Sequence, residues 1–385
     1  MPAAGKEEAT ESRGERQHRR KRRASKEARQ QILVATLQGR CLACRWGQSL
    51  QPKPSPARGP LGYNAGHFPM ITRRDFTKLA GFAAGSMLVP SGGEAQEGQP
   101  SEVRNAAVTS GFVQNEGAEI YYERTGDGPA IVFAHGLGGN HLSWWQQVPY
   151  FSRRYSCVTF AHRGFSPSRV TSGTVDPALF EADLLALVDH LKLEEVRLVA
   201  QSMGGWTCLN FALHHPKRVR ALVMAATGGT VDLSTLDEVE RKGVESWVAT
   251  HEGVAAELGK RNIHPAAGER MAREQPALEF LYREIDRLSS GLDKEAFRAK
   301  LVAARTLPAA ELKRLTVPVL FISGKEDVVF PPPAAAALAS LVPGAKLESV
   351  PEAGHSVYFQ RPEIFNRVVS NFFEAHQGPA AGSAS

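Results

Sequence analysis

The chain has 385 residues, of which 42% are hydrophobic and 22% charged, so it can bury the core of one large globular domain or of two ordinary ones. Residues 1–69 hold 14 of the 46 Lys and Arg residues and 5 of the 40 Asp and Glu residues, a net charge of +9, so residues 70–385 carry a net charge of −3. This mildly acidic body excludes a general polyanion-binding role for the main part of the chain.

The Arg-rich segment at the start of the chain differs from the rest. Residues 1–69 contain scattered prolines and no sustained apolar periodicity, which predicts a disordered basic segment. We interpret it as sequence upstream of the true start codon, which we assign to Met70; the alternative is a basic arm that binds nucleic acid. Cys41 and Cys44 form a lone C-x-x-C without a second Cys or His pair, so we predict no metal site.

Residues 70–95 resemble a bacterial Tat-type (twin-arginine) signal peptide. Arg73 and Arg74 precede a moderately apolar stretch at 79–90, and Ala95 ends a small-x-small cleavage site. The apolar stretch has 12 residues, too few to span a bilayer, so we predict no stable membrane span. The resemblance implies that the folded protein passes through the Tat translocation machinery and is periplasmic or secreted.

After a polar linker at 96–108, predicted strands and helices alternate along the chain. This pattern is typical of an α/β fold in which helices cover both faces of a mostly parallel sheet. The clearest helical periodicity lies at 179–191 and 206–214. The eight predicted strands are short apolar runs, the first two forming a hairpin: 111–113, 118–122, 130–134, 157–160, 196–200, 221–225, 319–323 and 347–350.

A helical insertion interrupts this alternation. Between 228 and 310, Glu, Arg, Ala and Leu recur at helical spacing without an apolar strand. We predict that this segment is a helical cap over the active site, inserted between two parts of one core domain at 109–227 and 311–378. The alternative is a peripheral helical decoration that does not contact substrate.

Ser202 has the sequence context of a nucleophile elbow, a sharp turn between a strand and a helix. It follows the predicted strand at 196–200 and precedes the predicted helix at 206–214, with Gly204 between. Small neighbours are required because the strained turn leaves no room for bulky ones. Ala200 stands where the usual G-x-S-x-G pattern has its first glycine, and alanine is the smallest replacement.

Two further residues complete a candidate catalytic triad with this serine. Asp327 follows the predicted strand at 319–323, and His355 follows the one at 347–350. Loops at the carboxyl ends of parallel strands gather at one edge of the sheet, so we expect these side chains to meet Ser202 there. In the triad the serine is the nucleophile, the histidine its base, and the aspartate orients the histidine. Glu326 and Asp232 are the alternatives for the acid.

The chain order Ser, Asp, His and the elbow make residues 109–375 resemble the α/β-hydrolase superfamily, in its capped serine esterase or lactonase branch. Residues 135–139, His-Gly-Leu-Gly-Gly, match the oxyanion loop of that family. The resemblance implies that the backbone N–H groups of Leu137 and Met203 hold the oxyanion. Residues 162–168 resemble the turn of the family with the pattern D-x-R-G-x-G-x-S, except that Ala161 replaces the aspartate and Ser166 the second glycine. We expect this turn to be structural.

The resemblance implies hydrolysis of a small-molecule ester or lactone through an acyl-enzyme, without a metal or organic cofactor. Serine at the elbow argues against the dehalogenase and epoxide hydrolase branches, which use aspartate there. Gln201 fits esterases or lactonases better than C–C hydrolases of meta-cleavage products, which carry Asn at that position. Those C–C hydrolases and cofactor-free haloperoxidases, which share the triad, remain the alternatives, together with a hydrolase-fold receptor that binds a ligand.

Aromatic and thiol side chains near these motifs complete the candidates. Trp144, Trp145 and Trp206 lie close in sequence to the oxyanion loop or the elbow and are candidates for lining an apolar substrate pocket. Packing in the core is the alternative for each tryptophan. Cys157 and Cys208 fall in a predicted strand and a predicted helix, where buried free thiols are expected.

Overall fold

The computed structural model describes residues 107–377 of the chain. The basic segment, the Tat-type signal, Cys41, Cys44 and nearly all of the predicted linker lie outside the described residues. From residue 107 to residue 377, no helix is both long and apolar enough to cross a membrane.

All eight predicted strands are present, together with three short ones that the sequence did not predict. The strands are β1 (Val108–Asn115), β2 (Ala118–Thr125), β3 (Ala130–Ala134), β4 (Ser156–Phe160), β5 (Arg169–Val170), β6 (Val196–Gln201), β7 (Val219–Ala225), β8 (Val231–Asp232), β9 (Leu307–Pro308), β10 (Val319–Gly324) and β11 (Lys346–Val350).

The main sheet is mostly parallel, as predicted for an α/β-hydrolase fold. Its strands follow the order β1-β2-β4-β3-β6-β7-β10-β11. Every neighbouring pair from β4 to β11 is parallel, whereas β1 and β4 each pair with β2 in the antiparallel direction. The two-residue β5 adds a ninth strand by pairing with the start of β2. The predicted count of eight is therefore one strand short.

The sheet separates two apolar cores, and β3 shows how its sequence does so. Alternate side chains of a strand point to opposite faces. Ala130, Val132 and Ala134 belong to the core on one face, whereas Ile131 and Phe133 belong to the core on the other. A strand buried on both faces must be apolar at every position, which is why its sequence is a continuous apolar run.

Helices cover both faces of the sheet. They are α1 (Val148–Phe151), α2 (Phe180–His190), α3 (Gly204–His214), α4 (Glu238–Thr250), α5 (Val254–Lys260), α6 (Gly268–Glu274), α7 (Pro276–Arg287), α8 (Lys294–Ala303), α9 (Pro332–Leu341), α10 (Val357–Gln360) and α11 (Pro362–Glu374). Buried side chains of α2, α3 and α9 fill the first core, and those of α1, α10 and α11 fill the second.

The segment predicted as a cap contains helices α4 to α8 between two short strands. β8 and β9 pair in parallel, Val231 with Leu307 and Asp232 with Pro308, so both ends of the segment are joined. The sequence of this span predicted no apolar strand, and β8 and β9 were not predicted because two-residue strands carry no periodicity. Val244 of α4 is buried in the first core, and Ser340 of α9 donates to Glu240, so α4 packs on the core.

Candidate active site

Ser202 occupies a strained turn at the carboxyl edge of the sheet. It lies directly after β6 and is separated from the start of α3 by one residue, Met203, with a φ angle of +49°. Such a left-handed conformation is costly for a residue with a β-carbon and persists only where the surroundings enforce it. The Ser202 N–H donates to the carbonyl oxygen of Ala225 in β7 at 3.1 Å, which ties the turn to the neighbouring strand.

Close backbone packing explains the glycine after the elbow. A β-carbon on Gly204 would lie 2.2 Å from the carbonyl oxygen of Ala134, at the end of β3. A glycine at this position therefore lets α3 begin directly against the sheet. Ala200, by contrast, is fully buried and pairs with Ala134 and Met224 of the flanking strands. Its methyl group is part of the core, so the departure from the G-x-S-x-G pattern is accommodated by packing.

The predicted oxyanion loop packs directly against the elbow. A β-carbon on Gly136 would lie 3.1 Å from the β-carbon of Ser202 and 2.2 Å from Oε1 of Gln201. In residues 107–377, the backbone N–H groups of Leu137 and Met203 donate no hydrogen bond. Met203 is also the N-cap of α3, whose partial positive charge favours an anion there. These two N–H groups are therefore available to an oxyanion.

His135 fixes the oxyanion loop, a role that sequence reasoning did not assign. Its Nδ1 lies 2.7 Å from the carbonyl oxygen of Gly136, and its Nε2 accepts the N–H of His162 at 3.0 Å. Burial lowers the pKa of His135 to about 3, so the ring is neutral and Nδ1 carries its proton. The ring joins the loop to the segment after β4. The only sequence signal was a polar residue at the end of an apolar run.

Asp327 and His355 form a buried, directly bonded pair. The His355 Nδ1 lies 2.9 Å from Oδ2 of Asp327, and the side chains are 3% and 0% exposed. The N–H groups of Val329 and Phe330 donate to Oδ1 of Asp327 at 2.8 and 2.9 Å, which fixes the carboxylate. A carboxylate only accepts, so Nδ1 of His355 is the protonated nitrogen and Nε2 is left to act as a base.

The elbow and the histidine loop are joined through Gln201. Its Nε2 donates to the carbonyl oxygen of His355 at 3.3 Å, one residue before Ser202. In the part of the chain that the structure describes, Ser202 Oγ forms no hydrogen bond to His355. Hydrogen bonds of this kind are often long without substrate and tighten when it binds. The structure therefore brings Asp327 and His355 into contact and places the serine beside their loop.

The two alternative acids lie elsewhere. Glu326 accepts from Arg270 at 2.6 Å and is well exposed. Asp232 caps a short helix by accepting the N–H of Ser234 at 2.9 Å. Neither carboxylate contacts His355 in the described residues, so Asp327 is the acid that the geometry pairs with the histidine.

The three tryptophans fall in different environments. Trp144 is fully buried, with its ring centroid 4.7 Å from that of Tyr358 in the core, so packing accounts for it. Trp145 is 40% exposed and meets Phe359 edge-on. Trp206 is buried on α3, and it is the one that packs beside the elbow.

An apolar cluster connects the elbow with the predicted cap. We call it the elbow cluster; it contains Ala161, Phe165, Phe180, Met203, Trp206, Phe297 and Leu301. The first five come from the core fold and the last two from α8, while Leu137 of the oxyanion loop packs against its edge. The Trp206 Nε1–H donates to the carbonyl oxygen of Leu301 at 3.0 Å. Helix α8 therefore packs in the same cluster as Met203 and Leu137, the two predicted oxyanion residues.

Helix α7 approaches the same place from another side. A β-carbon on Gly138 would lie 2.9 Å from the hydroxyl oxygen of Tyr282, so this tyrosine touches the oxyanion loop. Tyr282 is buried, and burial raises the pKa of its hydroxyl, so it stays protonated. The ring of His264 lies 5.1 Å from that of Tyr282. Burial lowers the pKa of His264 to about 4, which keeps this ring uncharged at neutral pH.

The turn at 162–168 makes contacts that support its predicted structural role. Arg163 donates from Nε to Oδ2 of Asp183 at 2.7 Å, and both side chains are 1% exposed. Asn115 donates to the same carboxylate at 2.9 Å. A buried carboxylate with three donated hydrogen bonds is satisfied, so this ion pair joins the turn to α2 without a catalytic role.

The described part of the chain was searched for side chains that could bind a metal ion and for reactive thiols. Residues 107–377 contain no group of three or more His, Cys, Asp or Glu side chains placed to hold a metal ion. Cys157 and Cys208 are both buried and free, and burial raises the pKa of Cys157 to about 12. Both thiols are therefore poor nucleophiles, as expected of structural cysteines.

Comparison with known proteins identifies the family. Residues 129–362 match the family model described as alpha/beta hydrolase fold. BpoC of Mycobacterium tuberculosis, assigned as a non-heme bromoperoxidase, is 28% identical over 263 residues, 66% of this chain and 97% of that protein. The 3-oxoadipate enol-lactonase 2 of Acinetobacter baylyi is 27% identical over 252 residues, 63% of this chain and 88% of the lactonase.

The chain is also similar to a solved structure of a lactone-degrading enzyme. Est816, described as an N-acyl homoserine lactone degrading enzyme, is 25% identical with a TM-score of 0.57, over 68% of this chain and 100% of its own. The matched family model spans more than half of the chain. The chain therefore belongs to the alpha/beta hydrolase fold family.

Proposed function

We propose that this protein is a serine hydrolase that cleaves a carboxylic ester or a lactone through an acyl-enzyme intermediate. The observation that carries the proposal is the arrangement at one edge of the sheet. There, the strained Ser202 follows Gln201, which donates to the backbone of His355, and Asp327 orients the His355 ring. The N–H groups of Leu137 and Met203 donate no hydrogen bond in the described residues. The similarity to an enol-lactonase and to a lactone-degrading enzyme supports the same chemistry.

The proposed reaction has two steps. His355 Nε2 takes the proton of Ser202 Oγ, which attacks the carbonyl carbon, and the resulting oxyanion accepts from Leu137 and Met203. Each such donor stabilises the transition state by about 3–4 kcal/mol in a site from which water is excluded. The imidazolium, stabilised by Asp327, then protonates the leaving alcohol. Water deprotonated by His355 releases the acid and restores the serine.

A substrate screen on the full-length protein tests the reaction class. We expect initial-rate assays to give kcat/KM of about 10⁴ M⁻¹s⁻¹ or more for short esters or for lactones, in the ordinary range for enzymes. The same screen contains ring-cleavage diketones, and peroxide with a halide and a carboxylic acid. Turnover confined to the diketones, or halogenation without ester or lactone hydrolysis, contradicts the proposal and favours one of the alternatives on the same triad.

The rate of ester turnover distinguishes an enzyme from a hydrolase-fold receptor. A fluorophosphonate that reacts with Ser202 would label both an enzyme and a receptor that retains its triad, so labelling does not distinguish them. Multiple turnovers of a p-nitrophenyl ester per minute support the enzyme. Complete labelling with less than one turnover in an hour favours a receptor and contradicts our proposal.

We further propose that the protein is exported in the folded state. The proposal rests on the resemblance of residues 70–95 to a Tat-type signal. Changing Arg73 and Arg74 together to Lys should abolish export, because the signal is read through this arginine pair. Cell fractionation and immunoblotting of a bacterial host measure the exported fraction, with Arg104→Lys as the matched control. Equal export of the double variant and the control contradicts the proposal.

A further inference from the structure

The arginines of the insertion at 228–310 divide into two groups. Six of its eight arginines lie within 4 Å of an acidic side chain: Arg241, Arg261, Arg270, Arg273, Arg283 and Arg287. In the described residues, Arg298 and Arg305 form no ion pair and their side chains donate no hydrogen bond, and the Nε of Arg298 is buried without any partner. Desolvating a cation without a partner is costly, so this pair needs an explanation.

Both unpaired arginines belong to the part of the insertion that covers the elbow. They lie seven residues apart, about two helical turns, with Arg298 on α8 and Arg305 just after its end. The guanidinium carbon of Arg305 is 5.0 Å from the ring centroid of Trp206, which packs with Met203 in the elbow cluster. Arg305 therefore lies one side chain away from the proposed oxyanion site.

The surrounding charges leave a positive excess at this place. Burial and the charge of Arg298 lower the pKa of Arg305 to about 10, so the Arg305 guanidinium group remains charged at neutral pH. Lys294 of the same helix is paired with Asp286 at 2.5 Å, and His264 is uncharged. The charge of Asp232 raises the pKa of Arg305, but the two side chains form no ion pair in the described residues.

We infer that Arg298 and Arg305 form an anion subsite, so that the substrate of the proposed hydrolase carries a carboxylate besides its ester or lactone group. This inference rests on the proposed function. A guanidinium group donates two parallel hydrogen bonds to a carboxylate, and two such groups above an apolar wall bind a charged tail next to an apolar body. A bound carboxylate would supply the partner that both side chains lack.

Two p-nitrophenyl esters that share the same acyl chain test the subsite in the full-length protein. Mono-p-nitrophenyl glutarate carries the free carboxylate, and its methyl ester is the neutral match. We expect wild type to prefer the anionic ester, and Arg298→Gln and Arg305→Gln to lower kcat/KM for it about 10–100-fold, mainly through KM. The neutral ester should change by no more than about threefold, since it uses the triad alone.

Two further variants separate charge from packing. Arg305→Lys should retain part of the preference for the anionic ester because it keeps the charge, whereas a purely structural role predicts equal losses on both esters. Arg287→Gln is the matched control, an exposed cap arginine paired with Glu284, and should leave both rates unchanged. An unchanged preference in both Gln variants, or a wild-type preference for the neutral ester, overturns the subsite.

A binding measurement keeps the subsite separate from the hydrolase proposal. Calorimetric titration of glutarate into the Ser202→Ala variant requires no turnover. We expect its Kd to rise about tenfold or more when Arg298 or Arg305 is also changed to Gln. If glutarate binds in this way while no ester is hydrolysed by wild type, the hydrolase proposal fails and the subsite stands. If neutral esters are hydrolysed but glutarate binding does not depend on the arginines, the subsite fails alone.

Discussion

Replacing Ser202 with Ala should lower kcat/KM for ester hydrolysis by about 10⁵–10⁶-fold, because the attacking oxygen is lost. The change should leave the fold intact, since the Ser202 side chain makes no hydrogen bond in residues 107–377 and alanine has the same β-carbon at the strained φ. Steady-state kinetics with a p-nitrophenyl ester measure the loss, and the thermal unfolding midpoint checks the fold.

The control for this variant is an exposed serine of the insertion. Ser290→Ala removes a hydroxyl group from the surface and should keep wild-type kinetics. Activity of purified Ser202→Ala within tenfold of wild type would show that another nucleophile acts, and the proposed mechanism would then be wrong.

Asp327→Asn should lower kcat nearly as much as the loss of the nucleophile, because the hydrogen bonds of Asp327 determine how the new amide group is oriented. Oδ1 of Asp327 accepts two backbone N–H groups, so the amide oxygen of Asn must occupy that place. Its NH₂ group then faces Nδ1 of His355 and forces the proton onto Nε2. That tautomer cannot accept the proton of Ser202, and we expect kcat to fall about 10⁴-fold.

The neighbouring acid provides the matched control for this prediction. Glu326→Gln removes a charge that is exposed and paired with Arg270, so kcat should stay within about twofold of wild type. Both variants are measured at the same pH with the same ester. The reverse result, with Glu326→Gln inactive and Asp327→Asn active, would assign the orienting role to Glu326.

The sequence was sufficient to predict the centre of the sheet because strands β3, β4, β6 and β10 are buried on both faces. Such strands must be continuous apolar runs, and the run ending at Ala200 marked both β6 and the serine that follows it. Asp327 was found for the same reason, since it follows the buried β10. His355 follows β11, an edge strand that is largely exposed and ends at the buried Val350. Topology then brings the ends of these strands together, so chain order and position were enough to predict that the acid and the base lie close.

Other features depend on contacts that leave no periodic signal. The two-residue strands β5, β8 and β9 are set by distant backbone pairing. The hydrogen bonds of His135 depend on the position of the segment after β4. The lack of ion pairs at Arg298 and Arg305 depends on which acidic side chains lie nearby in space. The three tryptophans looked alike in sequence, yet one is in the core, one is on the surface and one is beside the elbow.

The most direct test of the central claim is detection of the covalent intermediate. Intact-protein mass spectrometry after rapid mixing with a slowly deacylating ester should show one added acyl group per molecule, and peptide mapping should place it on Ser202. The adduct should form on wild type and be absent from Ser202→Ala. An acyl group on any other residue, or ester turnover by wild type without an adduct on Ser202 under single-turnover conditions, would contradict the proposal.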